Sequence, residues 1–168
     1  MQTEPELSGD PGAFDEWARP SLPAMNRLAR RLAPQTDPDD IVQESLARAW
    51  RKCDQFDPRR GTATAWLLAI TADQARAARR SRARRLKVVD DTSPVPDAAS
   101  TDHAADIDLE RAIEQLAERQ QLAVHLHYFV GLTVDETAGA MACSVGTVKS
   151  TLFDARRRLR TLLGDTDA

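Results

Sequence analysis

The sequence predicts an all-α protein made of two small helical domains joined by a flexible acidic linker. Apolar residues recur at intervals of three and four along most of the chain, which is the spacing of an amphipathic helix. Glycine and proline fall at the boundaries of these segments. The stretch 88–106 carries two prolines, small residues and acids, with almost no large apolar side chain after Val95, and this composition predicts the linker.

The linker divides the chain into one domain over 13–87 and another over 107–163. Residues 1–12 carry Glu, Pro, Gly and Asp and little to bury, so we expect a disordered tail there, and 164–168 form a second tail. With 168 residues, of which 42% are hydrophobic, the chain is long enough for a core in each domain.

Charge is segregated along the chain although the net charge is only -3. Between Gln74 and Lys87 there are seven basic residues and no acid, whereas from Asp90 to Glu110 there are seven acids and no Lys or Arg. A near-neutral average therefore hides a basic block, which suits a nucleic-acid partner, followed by an acidic one.

Several classes of protein are excluded by simple counts. Cys53 and Cys143 stand ninety positions apart without a CxxC pair, so we expect small buried thiols in a reducing cytosol and neither a disulfide scaffold nor a zinc site. His125 and His127 are two positions apart, so on a helix they point to different sides and share no metal ion.

The N-terminus lacks the apolar core of a signal peptide, and no apolar run approaches the length of a membrane span, so we expect no membrane insertion and a soluble, cytoplasmic protein.

The first domain should contain three main helices. The segment MNRLARRLA supplies Met25, Leu28 and Leu32 to a core. A second helix begins with Asp37 as N-cap and Pro38 at the first position. Four residues of this helix form an inward apolar stripe, and four others form an outward polar face. The stripe is Val42, Leu46, Ala49 and Cys53, and the face is Gln43, Glu44, Arg48 and Arg51.

The third helix of this domain should begin near Thr64. Trp66, Ile70 and Ala77 share one side of it, so we expect this side to face the core with Trp66 as its anchor. Beyond Ala77 the helix becomes basic. Four basic residues lie within about a quarter of its circumference: Arg76, Arg80, Arg84 and Lys87.

The second domain shows the pattern of a helix-turn-helix. Thr133 and Glu136 form a capping box before a short helix, and Ser144 caps the next one after the turn CSVG. The inward residues of that last helix are Val148, Leu152, Ala155, Leu159 and Leu162, and the outward residues are Lys149, Ser150, Phe153, Asp154, Arg157 and Arg160. This is the layout of a recognition helix that enters the major groove, with a solvated basic helix packed on a bundle as the alternative.

Two long segments of the chain resemble one known family. The segment DPDDIVQESLARAWRKCDQFDPRRGTATAWLLAITADQARAARRSRARR is similar to region 2 of the extracytoplasmic-function group (group IV) of bacterial sigma-70 family sigma factors. The segment AIEQLAERQQLAVHLHYFVGLTVDETAGAMACSVGTVKSTLFDARRRLR is similar to region 4 of the same group. GTVKS alone is weak evidence, because response regulators carry similar strings, but the two regions together cover about 13–163 in the order of the family.

The resemblance implies an alternative sigma factor that directs promoter-specific transcription initiation, with no catalytic residues and no cofactor. Region 2 would dock on the β′ clamp of core RNA polymerase and region 4 on the β flap. The residues that match the β′-facing surface are Asp40, Gln43, Glu44 and Arg48. The family also implies promoter DNA and an anti-sigma factor as partners.

The resemblance also implies which residues contact the two promoter elements. At the -10 element they are Phe56, Asp57 and Arg60 in the loop 54–61, which would capture a flipped base, together with Gln74, Arg76, Arg79 and Arg80 on the next helix. At the -35 element they are Ser144, Thr147, Lys149, Ser150, Phe153 and Arg157.

The chain departs from the family pattern in both regions. Thr151 stands where the family commonly has Arg, and Asp154 where it has a basic or polar residue, so an acid is introduced beside the proposed -35 contacts. Asp73 and Gln74 occupy the place of the usual Asn after AWL, which bears on -10 specificity.

Two other classes of function were weighed. A free-standing helix-turn-helix regulator that binds an operator as a dimer would need a receiver or ligand-binding domain with α/β alternation, which the sequence lacks. A small helical enzyme would need paired carboxylates or a Ser/His/Asp set, and no such spacing occurs.

Overall fold

The computed structural model describes residues 10–88 and 104–164, and within them the regular structure is entirely helical. The predicted all-α fold is therefore confirmed. Eight helices are described: α1 Pro11–Ala18, α2 Leu22–Leu32, α3 Pro38–Trp50, α4 Ala63–Val88, α5 Ala104–Glu114, α6 Glu118–Val124, α7 Val134–Ala140 and α8 Val145–Leu163. Single 3-10 turns lie at Arg19–Ser21 and Cys53–Gln55, and a π-helical turn follows α6 at His125–Val130.

Helical structure extends further than the sequence predicted at both segment boundaries. Pro11 and Gly12, which were expected in the N-terminal tail, form the first turn of α1 because the Asp10 carboxylate accepts a hydrogen bond from the Gly12 N–H at 2.9 Å. Residues 104–106, which were expected in the linker, form the first turn of α5. The rest of the predicted linker, 89–103, and the tails at 1–9 and 165–168 lie outside the described residues.

Helices α1 to α4 form the first domain, and their starts follow from local chemistry. The Asp37 carboxylate accepts a hydrogen bond from the Asp39 N–H at 2.9 Å, and Pro38 occupies the first helical position, so α3 begins where the sequence predicted. Met25, Leu28 and Leu32 on α2 are buried, as predicted. Cys53 lies beyond the end of α3 and is only half-buried, as is Cys143.

The buried face of α4 differs from the predicted one. Trp66 and Ile70 are partly buried at the edge of the core. The buried residues of α4 are instead Ala65, Leu67, Leu68, Thr71, Ala72 and Ala75. The reason is that α4 packs against α2, α3 and α7, so its buried surface is too wide for a single stripe.

Helices α5 to α8 form the second domain around a smaller core. Ile113, Leu116 and Val124 meet the inward face of α8, where Val148 and Ala155 are fully buried. Leu132 and Leu126 of this domain are instead buried with the first domain's core residues. The two domains therefore share an apolar contact in this arrangement, which we call the closed arrangement.

Candidate nucleic-acid interface

The helix-turn-helix forms as the sequence predicted. The Thr133 hydroxyl accepts a hydrogen bond from the Glu136 N–H at 3.2 Å, and the Glu136 carboxylate accepts one from the Thr133 N–H at 2.9 Å. The Ser144 hydroxyl accepts a hydrogen bond from the Thr147 N–H at 3.1 Å and so caps α8. These local bonds fix where α7 and α8 begin, and hence the side of α8 that faces outward.

The turn between α7 and α8 closes as a Schellman motif. The Cys143 N–H donates to the Ala138 carbonyl at 3.0 Å and the Ala142 N–H to the Gly139 carbonyl at 3.2 Å. Ala142 has a φ of 49°, in the left-handed region that favours glycine. No residue pattern indicates this strain, because alanine is an ordinary helix former.

The outward face of α8 is open to solvent. Lys149, Ser150 and Arg157 are exposed, and Phe153 has 59% of its surface accessible. An exposed aromatic ring one helical turn from a lysine suits contact with thymine methyl groups and base edges. Asp154 lies 3.9 Å from Arg157, so the acid that departs from the family pattern partly neutralises one of the predicted DNA contacts.

The loop 54–61 is held in shape by Asp57. Its carboxylate accepts a hydrogen bond from the Arg59 N–H at 3.0 Å, and its carbonyl accepts one from the Arg60 N–H at 3.0 Å. Phe56, which was expected to seat a base, packs its ring against Trp17 at 5.2 Å and Trp66 at 5.6 Å between centroids. The Phe56 ring is therefore part of an aromatic cluster, which no periodicity in the sequence predicts.

A cavity of about 620 Å³ lies between this loop and the helix-turn-helix. Phe56, Asp57 and Arg60 line one side of the cavity. The opposite side is formed by 138–143, the end of α7 and the turn after it. A Cβ built on Gly139 would stand 3.6 Å from the Arg60 carbonyl oxygen, so the two domains approach closely here.

The predicted -10 residues on α4 lie beside the second domain. Arg76 forms an ion pair with Asp73 at 2.6 Å, and Arg79 forms one with Glu118 of α6 at 3.5 Å. A second cavity, of about 310 Å³, is lined by residues of both predicted surfaces and by Glu118: Arg48, Asp73, Gln74, Arg76, Ala77, Arg80 and Glu118. The positive face of α4 is therefore adjacent to an acid from the other domain.

The predicted polymerase-facing surface is a solvent-exposed strip of α3. Asp40, Gln43, Glu44 and Arg48 are all exposed, and Glu44 pairs with Arg51 at 3.3 Å. Arg48 also lines the second cavity, whereas the side chains of Asp40, Gln43 and Glu44 are open to a partner. The mixed acidic and amide character of the strip suits a basic partner helix.

Sequence reasoning missed Arg31, which joins the two domains. Its guanidinium lies 3.9 Å from the centre of the Phe129 ring and 3.2 Å from the Glu110 carboxylate, both in the second domain. These partners are 98 and 79 positions away (129 - 31 and 110 - 31), so no local pattern reveals the contact.

The two histidines have separate structural roles. His127 Nδ1 lies 2.7 Å from the Leu132 carbonyl oxygen, whereas His125 is buried and its Nδ1 has no partner among the described residues. Burial, and secondly the charge of Arg31, lower the pKa of His125 to about 4. No group of three or more His, Cys, Asp or Glu within the described ranges is placed to hold a metal ion.

Comparisons with known proteins give the same family for both domains. The Sigma-70 region 2 model matches residues 17–85, and the Sigma-70, region 4 model matches residues 106–159. The RNA polymerase sigma-E factor of Streptomyces avermitilis is 35% identical over 159 residues, covering 92% of this chain and 87% of that protein. The ECF RNA polymerase sigma factor SigK of Mycobacterium tuberculosis is 28% identical over 171 residues, covering 92% and 87%.

Two solved structures match over both domains. One is the sigma factor RpoE in complex with the anti-sigma factor NepR from Bartonella quintana, with a TM-score of 0.66 at 28% identity over 92% of this chain and 98% of that one. The other is CnrH in complex with the cytosolic domain of CnrY, with a TM-score of 0.69 at 29% identity over 96% and 94%.

The fold and the exposed recognition helix thus define a two-domain, helix-turn-helix protein of transcription. The chain belongs to the sigma-70 family of RNA polymerase sigma factors, in its extracytoplasmic-function group. It is an alternative sigma factor, a transcription initiation factor and not an enzyme. No helix among the described residues is long and apolar enough to cross a membrane.

Proposed function

We propose that the chain docks on core RNA polymerase through the exposed strip of α3 and reads a promoter with both domains. In this proposal region 2 spans 13–87, the linker 88–106 and region 4 107–163. The observation that carries it is the outward face of α8, which combines an exposed aromatic ring, a lysine and a serine on a helix whose other side packs into the core of the second domain.

Region 4 reads the -35 element in this proposal. Lys149 reaches a guanine edge or a phosphate, Ser150 a base edge or a phosphate, and Phe153 a thymine methyl. Ser144 and Thr147 lie at the start of α8, where the helix dipole and free amides favour a phosphate. Arg157 contributes less than an unpaired arginine because Asp154 lies beside it.

Region 2 reads the -10 element through the loop 54–61 and α4. Asp57 and Arg60 supply the polar groups that read a base edge, while Phe56 shapes one wall of the cavity from within the aromatic cluster. The remaining proposed contacts lie on α4 and hold the DNA strand, mainly through phosphates: Gln74, Arg76, Arg79 and Arg80.

We also propose an anti-sigma factor as a regulator and the cytoplasm as the place of action. Both solved relatives above are complexes, one of them with a named anti-sigma factor. The cytoplasm is where a sigma factor meets core polymerase and the chromosome.

The test is run-off transcription with core RNA polymerase on genomic promoter fragments, with transcript starts sequenced with and without this protein. The proposal expects new starts that share sequence motifs near -10 and -35. An absence of new starts, with a DNA fragment shifted by the protein alone, would instead favour the free-standing operator-binding regulator. A triple alanine variant at Asp40, Gln43 and Glu44 should lose these starts while keeping its unfolding transition.

A further inference from the structure

A third cavity, of about 390 Å³, lies where the end of α2 meets α4 and the second domain. Small-molecule sites usually have volumes of about 300 to 1,000 Å³, so this cavity is large enough for a small ligand. The first domain supplies residues 30–36 and two arginines of α4, and the second domain supplies residues of α5, α6 and the π-helical turn. The cavity is therefore a feature of the closed arrangement, and we call it the arginine cavity.

The arginine cavity has an excess of positive charge. Its charged lining residues are four arginines and two acids: Arg30, Arg31, Arg79, Arg82, Glu110 and Glu114. Two of the arginines are paired with acids, Arg31 with Glu110 at 3.2 Å and Arg79 with Glu118 at 3.5 Å. Because the arginines outnumber the acids of the lining, the cavity favours an anionic ligand.

Arg30 and Arg82 are the lining arginines best placed to hold that ligand. The Arg30 Nε donates a hydrogen bond to the Asn26 side-chain oxygen at 2.8 Å. Neither Arg30 nor Arg82 takes part in the ion pairs found within the described residues. A guanidinium group binds two phosphate oxygens at once through parallel N–H groups. One arginine on α2 and one on α4 can therefore hold phosphate groups from two helices.

The rest of the lining suits an uncharged ring system. Leu32, Ala33 and Ile113 are buried and provide an apolar surface. His125 is 6% exposed and also lines the cavity, and its Nδ1 has no hydrogen-bond partner among the described residues. Buried polar atoms are nearly always hydrogen-bonded, so this nitrogen indicates a place for a polar group of a ligand. The Glu114 carboxylate adds an acceptor for N–H or O–H donors.

We propose that the arginine cavity binds a nucleotide. A nucleotide has the three parts that this lining recognises: phosphates for Arg30 and Arg82, a flat base for the apolar surface, and N–H or O–H donors for Glu114. His125 adds a hydrogen bond to the base or the ribose. Inorganic phosphate would use the arginines alone, and a fatty acid would leave Glu114 facing an apolar chain without a hydrogen-bond donor.

The bound nucleotide shares one arginine with the surface proposed for the -10 element. Arg79 lines the arginine cavity and is also a proposed phosphate contact of α4. Nucleotide and promoter strand therefore compete for Arg79, so the nucleotide weakens binding of the strand. This consequence rests on the proposed function, whereas binding of the nucleotide itself does not.

The first test is isothermal titration calorimetry of the full-length chain with ATP, GTP, tripolyphosphate and adenosine. The proposal expects ATP or GTP to bind about tenfold more tightly than tripolyphosphate, which has the charge without the base, and more tightly than adenosine, which has the base without the phosphates. If neither nucleotide binds, or if tripolyphosphate binds as tightly as both, the proposal is overturned.

A pair of double variants tests the two arginines. R30Q/R82Q should weaken nucleotide binding about a hundredfold, because each lost charge-assisted hydrogen bond costs about tenfold. The matched control R27Q/R84Q removes the same charge from the same two helices at exposed positions that do not line the cavity, and should bind as the wild type does. Circular dichroism checks that both variants fold. An equal loss in the two variants would show attraction by overall charge and contradict the proposal.

An NMR experiment on the wild type locates the ligand without relying on any variant. Adding the nucleotide should shift the ring signals of His125 and leave those of His127, whose Nδ1 lies 2.7 Å from the Leu132 carbonyl oxygen outside the cavity. Unchanged His125 signals at saturating nucleotide would place the ligand elsewhere and overturn the proposal.

Fluorescence anisotropy with a labelled single strand that carries the mapped -10 segment tests the competition. Saturating nucleotide should weaken binding of the strand about tenfold, and unchanged binding would refute the competition for Arg79. Run-off transcription by the wild type is measured in parallel. Its failure would refute the proposed function, whereas the calorimetric comparison would still decide whether the cavity binds a nucleotide.

Discussion

The two DNA-facing surfaces proposed for this sigma factor differ in what surrounds them. On α8 the outward residues stand free in solvent, with Phe153 59% exposed. On the loop 54–61 and α4, Phe56 packs into an aromatic cluster and Arg79 pairs with Glu118 of the other domain. The outward face of α8 is accessible to DNA, whereas the loop 54–61 and α4 make contacts with other parts of the protein.

This difference shows how far the state of each surface depends on residues nearby in the sequence. The exposed face of α8 follows from the alternation of apolar and polar residues along one helix and from its own caps. The state of the -10 surface depends on residues more than thirty positions away in the chain, including Glu118 and the turn at 138–143. A change in the contact between the two domains would therefore alter the surroundings of the proposed -10 surface and leave the outward face of α8 unchanged.

The largest effect is expected at the inward face of α8. Leu152 is 4% exposed in the second domain's core, so L152A should lower the free energy of unfolding by about 2 to 5 kcal/mol. Chemical denaturation, monitored by circular dichroism, measures this loss in the free energy of unfolding. A loss below 1 kcal/mol would show that α8 is not held by this core, and that its outward face is not fixed by packing.

The next largest effect is a loss of stability in acid that depends on His125. Burial and Arg31 lower the pKa of His125 to about 4 in the folded chain, whereas an unfolded histidine titrates near its ordinary value of about 6.5. The unfolded chain therefore binds more protons below pH 6.5. The contribution of His125 to the free energy of unfolding is therefore fully present above pH 6.5 and is lost as the pH falls toward 4.

Urea unfolding at pH 7.5 and 5.0 measures this effect. Between pH 7.5 and 5.0 the free energy of unfolding should fall by about 2 kcal/mol more in the wild type than in H125Q. This difference reports His125 alone, because every other titratable group is present in both proteins. An equal loss in the two proteins would contradict the prediction. In R31E the pKa of His125 should rise, because Arg31 is replaced by an acid, and an NMR titration of the His125 ring would report it.

A smaller effect is expected at the outward face of α8. F153A removes the proposed contact with a base, for which about 1 to 3 kcal/mol is expected, so run-off transcription should fall about tenfold with no change in stability. L163A is the control, because Leu163 is also an exposed apolar residue of α8, at 47%, but lies outside the proposed site. A similar decrease for both variants would remove Phe153 from the -35 surface.

The sequence predicted correctly those features that depend on residues close together in the chain. The Thr133 and Glu136 capping box, the Ser144 cap and the buried stripe of Val148, Leu152 and Ala155 lie where they were predicted. Each follows from residues within one or two turns of helix, so one segment contains all the information.

The sequence was a poor guide wherever the cause is a distant contact. Trp66 was predicted as a core anchor of α4, but its ring lies in a cluster with Trp17 and Phe56, while Leu67 and Leu68 take the core. The Arg31 contacts join segments that no periodicity connects. The residue assignments to -10, -35 and polymerase contacts stay predictions, since they concern partners that bind these surfaces.

The smallest expected effect concerns the turn that connects α7 to α8 and also lines the cavity opposite the loop 54–61. Ala142 holds a φ of 49°, which costs an alanine about 1 to 2 kcal/mol, and glycine adopts this conformation without that cost. Glycine also gains freedom in the unfolded chain, about 0.4 to 1 kcal/mol, so the net stabilisation of A142G should be about 0.5 to 1 kcal/mol.

The measurement is the urea midpoint of A142G, with A140G as control. Ala140 is the last residue of α7 and is buried, so glycine there loses a packed methyl group and should destabilise by about 1 kcal/mol. Because Ala142 is exposed and contributes only a methyl group to the cavity wall, A142G should stabilise the turn without exposing the -10 surface. If A142G also changed the binding of single-stranded DNA, the turn would act on the loop 54–61 across the cavity, and the two proposed DNA-facing regions would be coupled through it.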